Sequence, residues 1–214
     1  EIIPSTMGEP LLYKGIGRIF ELADQYDIKI NLTTNGTFPG LTIEEWAKLI
    51  IPRTSDIKIS INGASHETAE SIMTGIDFKK TLDKIRIFIA HRNGHFHRTG
   101  YYCRITLQVT FLTTNMDELA GIIKLAAELD VDRVKGHQAW IHFPEMRQLS
   151  ILSNQASIDR WNKCVENARE AQLAYRRPNG EMVMLENILP IVNGERGEVP
   201  EDYSCPFLGK ELWI

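Results

Sequence analysis

The segment Gly8-Glu9-Pro10 combines three residue types that suit the binding of a small, positively charged ligand. Glycine permits a tight backbone turn or the close approach of a ligand, and glutamate adds an anionic hydrogen-bond acceptor. Proline fixes φ near the start of a following helix. Such a loop could hold a cation or an ammonium group, although an ordinary turn between a strand and a helix accounts for the same three residues.

Further polar side chains lie along predicted strands in which polar and apolar residues alternate. Isoleucine, leucine, valine or phenylalanine occupies one face of each strand, and hydrogen-bonding or charged side chains occupy the other. The polar faces carry Asn31, Thr33, Ser60, Asn62, Thr106, Gln108, Thr110, Lys135 and His137. A shared polar face of this kind could hold a ligand.

Helical patterns separate these strands. The predicted N-terminal caps are Thr42 with Glu45, Ser65, and Asn115 with Glu118, where each glutamate has the spacing of a capping box. A further helix is predicted from Phe78 to His91, followed by a polar loop over residues 93–100. Residues 157–174 form one amphipathic helix, and residues 176–204 are predicted to be an extended or short-stranded tail.

Regular alternation of strands and helices favours a parallel sheet with helices against its apolar faces. In a doubly wound sheet both faces are covered, so the central strands are continuous apolar runs rather than alternating ones. We therefore predict an α/β barrel or partial barrel with helices outside and a polar interior. Its ligand site should lie at the C-terminal ends of the strands. An α+β sheet with one solvated face is the alternative.

Composition narrows the class of protein. The chain has 214 residues, 43% of them hydrophobic, which is enough for one large domain with a substantial core. A net charge of -4 with mixed signs gives no basic stripe, so nucleic acid is not an expected partner. No apolar run approaches the ~20 residues that span a bilayer, and we expect a cytoplasmic protein without a membrane partner. Cys103, Cys164 and Cys205 are too few for a secreted disulfide framework.

Two other groups of side chains suggest chemistry. The short spacing of His91, His95 and His97 suggests a metal site, but no carboxylate or cysteine lies at a fitting spacing, which favours a solvated loop. Lys58 or Lys135 could supply the Schiff-base amine of an aldolase or lyase if the barrel buries it.

Taken in order, four segments resemble the core of the radical S-adenosylmethionine (SAM) enzymes. They are Gly8-Glu9-Pro10, Leu-Thr-Thr-Asn-Gly at 32–36, Ile-Ser-Ile-Asn-Gly at 59–63 and Val-Thr-Phe-Leu-Thr-Thr-Asn at 109–115. The resemblance covers roughly residues 1–140 and implies a partial (β/α)6 TIM-like barrel. Cys205-Pro206, shortly before Trp213-Ile214, is similar to the start of a SPASM domain, an extension that carries auxiliary iron–sulfur clusters.

The resemblance also implies a domain organisation. It places the radical SAM partial barrel at residues 1–145, a helix and extended linker at 146–204, and the start of the SPASM domain at 205–214. A strand pattern at each end of the chain suggests a fragment that is truncated at both ends.

Several roles follow from the resemblance, beginning with the first two segments. Met7, Gly8, Glu9 and Pro10 match the Gly-Gly-Glu-Pro motif, whose backbone and carboxylate receive the α-amino group of SAM. Met7 stands where the family usually has its first glycine, a change that a backbone contact tolerates. The resemblance also includes Asn35 of the second segment among the cofactor-binding residues.

The later segments supply the remaining implied contacts. Ser60 and Asn62 match a strand end that meets the carboxylate and ribose of SAM, and Asn62, in place of the usual aspartate, keeps an acceptor and adds a donor. Gln108 and Thr110 occupy the inward face of the next strand, where ribose contacts are common. His137 lies in the segment that matches the sixth strand, near the adenine.

One part of the family pattern does not occur in the 214 residues. It is the Cys-x3-Cys-x2-Cys loop, which binds a [4Fe-4S] cluster with one iron open to SAM, and the resemblance places it before Glu1. Cys205 would ligate a possible auxiliary [4Fe-4S] cluster.

The resemblance implies an enzyme that, at full length, cleaves SAM reductively to a 5′-deoxyadenosyl radical, which abstracts hydrogen from a peptide or small-molecule substrate. A reductant such as flavodoxin or ferredoxin would be a partner. The alternatives are an activase of a glycyl-radical enzyme, the Schiff-base lyase, and a non-catalytic ligand-binding barrel.

Overall fold

The computed structural model describes residues 1–4, 8–139, 141 and 143–192. Its strands are β1 (Ile30–Thr34), β2 (Thr54–Ser60), β3 (Arg104–Phe111), β4 (Arg133–Gln138) and β5 (Met184–Glu186). Its α-helices are α1 (Ile16–Gln25), α2 (Ile43–Ile50), α3 (His66–Ile72), α4 (Phe78–Thr99), α5 (Leu119–Glu128) and α6 (Gln155–Ala174). Short 3-10 helices cover Pro10–Leu12, Ile51–Arg53, Met116–Glu118, Pro144–Leu149 and Ile151–Ser153.

The five strands form one sheet in the order β1-β2-β3-β4-β5, and every pair of neighbouring strands is parallel. Ile2 forms a parallel bridge with Ile30 on the outer side of β1. Sequential order with helical crossovers is the arrangement of a (β/α) barrel that has not closed. The predicted α/β fold with a partial parallel barrel is therefore confirmed.

Strand parity separates the two faces as predicted. Ile57 and Ile59 of β2 and Leu107 of β3 are fully buried in the core, where the helices contribute residues such as Ile85 and Phe88. Burial of an aliphatic side chain contributes about 1.5 to 3 kcal/mol, so this face accounts for much of the stability. The alternate residues face the other way and are partly exposed or polar.

One predicted capping box forms as expected. The Thr42 side chain accepts a hydrogen bond from the Glu45 amide at 3.2 Å, and the Glu45 carboxylate accepts one from the Thr42 amide at 2.8 Å. These bonds satisfy donors that the first turn of α2 would leave unpaired, which explains where this helix begins.

The prediction of a polar loop over residues 93–100 is wrong, because α4 continues to Thr99. The helix ends only at Gly100, whose φ of 74° gives the left-handed C-cap that glycine favours. His95 and His97 therefore lie on a helix rather than in a solvated loop. Among the described residues, no group of three or more His, Cys, Asp or Glu could hold a metal ion.

The tail after α6 contains a strand that extends the sheet. β5 pairs in parallel with β4, from Arg133 opposite Met184 to Lys135 opposite Glu186. A short strand was expected in this region, but its place beside β4 was not. Because α6 also packs against α5, the range that was predicted as a helix and linker contributes both a helix and a strand to the barrel.

Candidate functional site

The strand register arranges the inward-facing side chains in rows across the sheet. One row contains Thr33, Lys58, Thr106 and Arg133, and the next contains Ser60, Gln108, Lys135 and Glu186. Thr110 and His137 lie opposite each other in the following row, which is nearer the C-terminal ends of the strands. We call the rows up to Lys58 and Arg133 the floor of the barrel, and the residues from Ser60 onward its mouth.

Side chains of the floor are bonded to one another. Lys58 Nζ donates to Asn31 Oδ1 at 2.6 Å, and Thr106 Oγ1 donates to Asp56 Oδ1 at 2.8 Å. Arg133 forms ion pairs with Asp56 and with Glu186 of β5. The floor is thus a connected polar layer in which the buried charges have partners.

The mouth differs because several of its polar side chains have no partner in the part of the chain that the structure describes. Among the residues that the structure describes, none forms a hydrogen bond with the side chain of Ser60, Gln108, Thr110 or His137. The exception is Lys135, whose ammonium group forms an ion pair with Glu186 at 2.6 Å. Polar groups without protein partners, gathered at the C-terminal ends of parallel strands, are the arrangement expected of a ligand site.

The Glu9 loop borders this mouth. Glu9 Oε1 accepts hydrogen bonds from the Leu11 amide at 3.1 Å and from Thr34 Oγ1 at 2.8 Å, and Oε2 accepts one from the Asn35 amide at 2.6 Å. Gly8 has a φ of 80°, the left-handed conformation that glycine adopts without strain. The carboxylate therefore fixes the loop to the end of β1, and Oε2 retains one acceptor position.

Asn35 lies in the turn that ends β1. Its Oδ1 accepts hydrogen bonds from the Thr37 amide at 2.9 Å and from Thr37 Oγ1 at 2.7 Å, which is the bonding of an Asx turn. Gly36 follows with a φ of 77°, and a Cβ there would lie 2.8 Å from the side chain of Ile59. None of the residues that the structure describes bonds to Asn35 Nδ2, so this donor is left for a ligand.

Asn62 is held between two strand ends. Its Oδ1 accepts a hydrogen bond from the Thr110 amide at 2.8 Å, so the side chain of Asn62 can offer a ligand its Nδ2 donor. Asn115 Nδ2 donates to the carbonyl oxygens of Asn62 and Thr110, each at 3.0 Å. This contact corrects the predicted cap, since Asn115 makes no side-chain bond to the following helix.

Glu118 also differs from its predicted role in a capping box. Its carboxylate accepts hydrogen bonds from the amides of Ala64 and Ser65, from Ser65 Oγ at 2.7 Å and from Thr68 Oγ1 at 2.6 Å. Burial alone would raise the pKa of Glu118, but these bonds outweigh it and the pKa is lowered. Glu118 is therefore an anion that joins the loop after β2 to the segment after β3.

Electrostatics distinguish the two candidate Schiff-base lysines. Burial lowers the pKa of Lys58, with Asp56 opposing the shift and Lys135 and Arg133 adding to it. The ammonium group of Lys58, however, is bonded to Asn31, towards the floor and away from the mouth. Lys135 faces the mouth, but its ammonium group forms an ion pair with Glu186.

The surroundings of His137 favour its neutral form. Partial burial lowers the pKa of His137 from its ordinary value, and the neighbouring Lys135 lowers it further, while Glu186 opposes the shift. A neutral imidazole carries one donor and one acceptor, so it can bond to a base or a hydroxyl group.

The structure thus brings together most of the residues that the sequence singled out. Gly8, Glu9 and Pro10 lie beside the end of β1, and the mouth unites the candidates of β2, β3 and β4. Met7 and Cys205 lie outside the described residues. The contributions of Asn115, Glu118 and Glu186 were not predicted. Of these three residues, only Glu186 could have been anticipated from the sequence, because the inward-facing Arg133 and Lys135 require a carboxylate as partner.

The fold and the mouth define the class of protein as an α/β partial barrel with a candidate ligand site at the C-terminal ends of its strands. Comparison with protein families identifies it further. Residues 1–126 match the Radical SAM superfamily, and the chain belongs to this superfamily. A search of curated proteins finds no match.

Solved structures with a similar fold include three kinds of protein. TYW1 with a lysine-pyruvate adduct bound has a TM-score of 0.53 and 15% identity, over 78% of this chain and 49% of that chain. Streptococcus suis SuiB bound to S-adenosylmethionine has a TM-score of 0.55 and 13% identity, over 84% of this chain and 36% of that one; SuiB has also been solved bound to the precursor peptide SuiA. A domain of the pyruvate-formate lyase-activating enzyme from Bacteroides vulgatus ATCC 8482 has a TM-score of 0.54 and 9% identity, over 82% of this chain and 96% of that one.

At these identities the likeness concerns the fold. The chain spans half or less of the length of TYW1 and SuiB, 49% and 36% respectively. Within the described part of the chain, no helix has the length and apolar character needed to cross a membrane.

Proposed function

We propose that this chain forms the SAM-binding barrel of a radical SAM enzyme. The observation that carries the proposal is the mouth, where polar side chains of three neighbouring strands, without partners among the described residues, lie at the same end of the sheet as the Glu9 loop. Membership of the superfamily supports SAM as the ligand of this site. The bound SAM of SuiB, a structure with the same fold, is consistent with the assignment.

The free atoms of the mouth match the chemical groups of SAM. In the proposal, the remaining acceptor position of Glu9 Oε2 and the backbone at Gly8 receive the α-amino group. The Ser60 hydroxyl and Asn62 Nδ2 donate to the carboxylate or ribose, because both are donors without partners among the described residues.

The other strands hold the nucleoside. Gln108 and Thr110 bond to the ribose, while His137 and the end of β4 contact the adenine. In the chemistry of the superfamily, reductive cleavage of SAM at a [4Fe-4S] cluster supplies a 5′-deoxyadenosyl radical that abstracts hydrogen from the substrate. The residues of this chain orient SAM and exclude water, since the protein around a cofactor contributes binding and orientation.

Further features of the proposal concern the whole enzyme. The three cysteine ligands of the cluster belong to residues outside the 214, and Cys205 ligates an auxiliary cluster of a SPASM domain that begins at residue 205. The substrate is a peptide or a small molecule, and a peptide is consistent with the structure of SuiB bound to SuiA. The enzyme works in the cytoplasm with flavodoxin or ferredoxin as reductant.

Of the alternatives, an activase of a glycyl-radical enzyme has support from the activating-enzyme domain, whose chain is covered over 96% of its length. The substrate distinguishes an activase from an enzyme that acts on a peptide or a small molecule. An activase forms a glycyl radical on a partner protein, and electron paramagnetic resonance detects that radical. The lyase has less support, because Lys58 is bonded to Asn31 and Lys135 to Glu186. A non-catalytic barrel would bind a ligand without cleaving it.

Substitution of Glu9 tests the proposal. Loss of a hydrogen bond to a charged ligand group costs about 1.5 to 3 kcal/mol, so Glu9→Ala should weaken SAM binding ~10- to 150-fold in the full-length protein with its cluster reconstituted. His95→Ala is the control, because His95 lies near the end of α4 at the opposite end of the strands and should leave the affinity unchanged. Equilibrium dialysis measures the affinity without turnover. Wild-type SAM affinity in Glu9→Ala would contradict the assignment of the mouth as the SAM pocket.

A further inference from the structure

The loop after β2 is tied to the segment after β3 by side chains rather than by the sheet. This loop contains Asn62, which belongs to the proposed SAM site, and it passes directly into α3. Asn115 and Glu118, from the 3-10 turn that precedes α5, hold it from the neighbouring strand connection. We call these contacts the mouth clamp, formed by Asn62, Asn115 and Glu118.

Asn115 forms one half of the clamp. Its side chain is 1% exposed and makes three hydrogen bonds, to the carbonyl oxygens of Asn62 and Thr110 at 3.0 Å and from the Leu112 amide at 2.7 Å. Asn62 Oδ1 in turn accepts from the Thr110 amide at 2.8 Å. Together these bonds fix the backbone of Asn62 against the end of β3.

Glu118 forms the other half. It accepts four hydrogen bonds from the last residues of the same loop and from the first turn of α3, with Ser65 Oγ at 2.7 Å and Thr68 Oγ1 at 2.6 Å. Gly63 makes this approach possible, because a Cβ at that position would lie 2.7 Å from the Ala69 amide nitrogen and 3.1 Å from Glu118 Oε2. The loop is therefore fixed at Asn62 and again at its C-terminal end, where α3 begins.

We propose that Asn115 and Glu118 are positioning residues of the SAM site, which set its affinity by holding Asn62 and Thr110 in their binding geometry. The inference rests on the proposed function, since it concerns the same pocket. Neither residue contacts SAM in this arrangement. A loop that must be ordered when the ligand arrives reduces affinity, whereas one that is held in place beforehand does not.

Three variants of the full-length protein with its cluster reconstituted test the inference. Asn115→Ala removes all three bonds of that side chain, and Asn115→Asp keeps the acceptor for the Leu112 amide but removes the donors to Asn62 and Thr110. Glu118→Gln removes the charge and one acceptor oxygen. The matched control is Asn154→Ala, which removes an exposed asparagine cap from the Ser157 amide at the start of α6, outside the mouth.

Two measurements are made at a temperature where circular dichroism shows every variant to be folded. Amide hydrogen exchange without SAM reports the clamp, and we expect faster exchange at Thr110 and Leu112 in Asn115→Ala and at Ala64 and Ser65 in Glu118→Gln. Equilibrium dialysis reports SAM affinity. We expect it to fall about tenfold in Asn115→Ala, Asn115→Asp and Glu118→Gln, as for loss of roughly one hydrogen bond to the ligand, and to stay unchanged in Asn154→Ala.

The outcomes separate the two proposals. Wild-type affinity in the clamp variants, with faster amide exchange, would overturn the positioning role and leave the SAM site intact. A wild-type protein that binds no SAM would overturn the proposed function, and the positioning role with it. Equal losses of affinity in the control and the clamp variants would also overturn the inference, because a general loss of stability would then explain both. If Asn115→Ala does not fold, Glu118→Gln carries the same comparison.

Discussion

Replacement of Arg92 by methionine should destabilise the barrel more than replacement of an exposed charged residue does. The Arg92 side chain is 0% exposed and pairs with Asp132, whose side chain is 5% exposed, at 2.7 Å. It also donates to Tyr102 Oη at 2.9 Å and to the carbonyl oxygen of Asp130 at 3.0 Å. These contacts join α4 to the segments that lead into β3 and β4, at the end of the barrel opposite the mouth.

The expected magnitude follows from the burial of both partners. Removal of one member of a buried ion pair costs about 3 to 5 kcal/mol, because the other charge is left in a poorly solvated place. Arg177 also pairs with Asp132, at 2.7 Å, and remains in the variant. We therefore expect the lower end of the range, about 3 kcal/mol, which for a chain of this size lowers Tm by ~6 to 12 °C.

Equilibrium unfolding in urea, followed by circular dichroism, measures the change in the free energy of unfolding. Arg86→Met on the same helix is the matched control, because Arg86 pairs with Asp83 at 2.7 Å while its side chain is 55% exposed. The decrease in the free energy of unfolding of Arg86→Met should stay below about 1 kcal/mol, the range of surface ion pairs. An equally small loss in Arg92→Met would refute the reasoning, since the buried network would then contribute no more than an exposed pair.

Two further predictions concern the loop after β2. Because the pKa of Glu118 is lowered in the folded protein, its ionised form stabilises the loop above the ordinary value of 4.5, and this stabilisation is lost as the pH falls below it. Protection factors of the loop amides should therefore drop below pH 4.5 in the wild type, and in Glu118→Gln they should be low and independent of pH. Gly63→Ala should cost about 1 to 3 kcal/mol in urea unfolding, because its Cβ would overlap the Ala69 amide. Gly17→Ala in α1 is the control; a Cβ there meets nothing within 4 Å, and we expect a change of no more than about 1 kcal/mol in the stabilising direction. Equal effects of the two alanines would contradict the assigned role of Gly63.

Strand parity was the part of the fold that the sequence contained most clearly. A strand buried on one face must place its apolar residues at every second position, so Ile57 and Ile59 assign Lys58 and Ser60 to the interior without any knowledge of the tertiary structure. The end of α4 was not visible in the same way. The segment with His95, His97 and Arg98 shows no helical spacing of apolar residues, and Gly94 has a low helix propensity. The helix continues nevertheless, because Arg92 and Phe96 anchor it to Tyr102.

The misassigned cap shows why some parts of the site could not be predicted. Asn115 and Glu118 have the spacing of a capping box, as Thr42 and Glu45 do, and only the latter pair forms one. Short polar side chains can bond to whichever backbone groups lie nearby. Near Asn115 these are the carbonyl oxygens of a neighbouring strand end, a contact separated by 53 residues along the chain. Spacing alone contains no information about such a neighbour.

The pairing of the lumen side chains assigns stability and binding to different ends of the barrel. In the floor, Asp56 and Arg133 are charged and largely buried, so the loss of either leaves an unpaired charge and should weaken folding. In the mouth, Ser60, Gln108 and Thr110 are neutral and partly exposed, so water can satisfy them before a ligand arrives at little cost to the fold. Alanine at the mouth should therefore reduce ligand affinity with little change in unfolding free energy, and the reverse should hold at the floor.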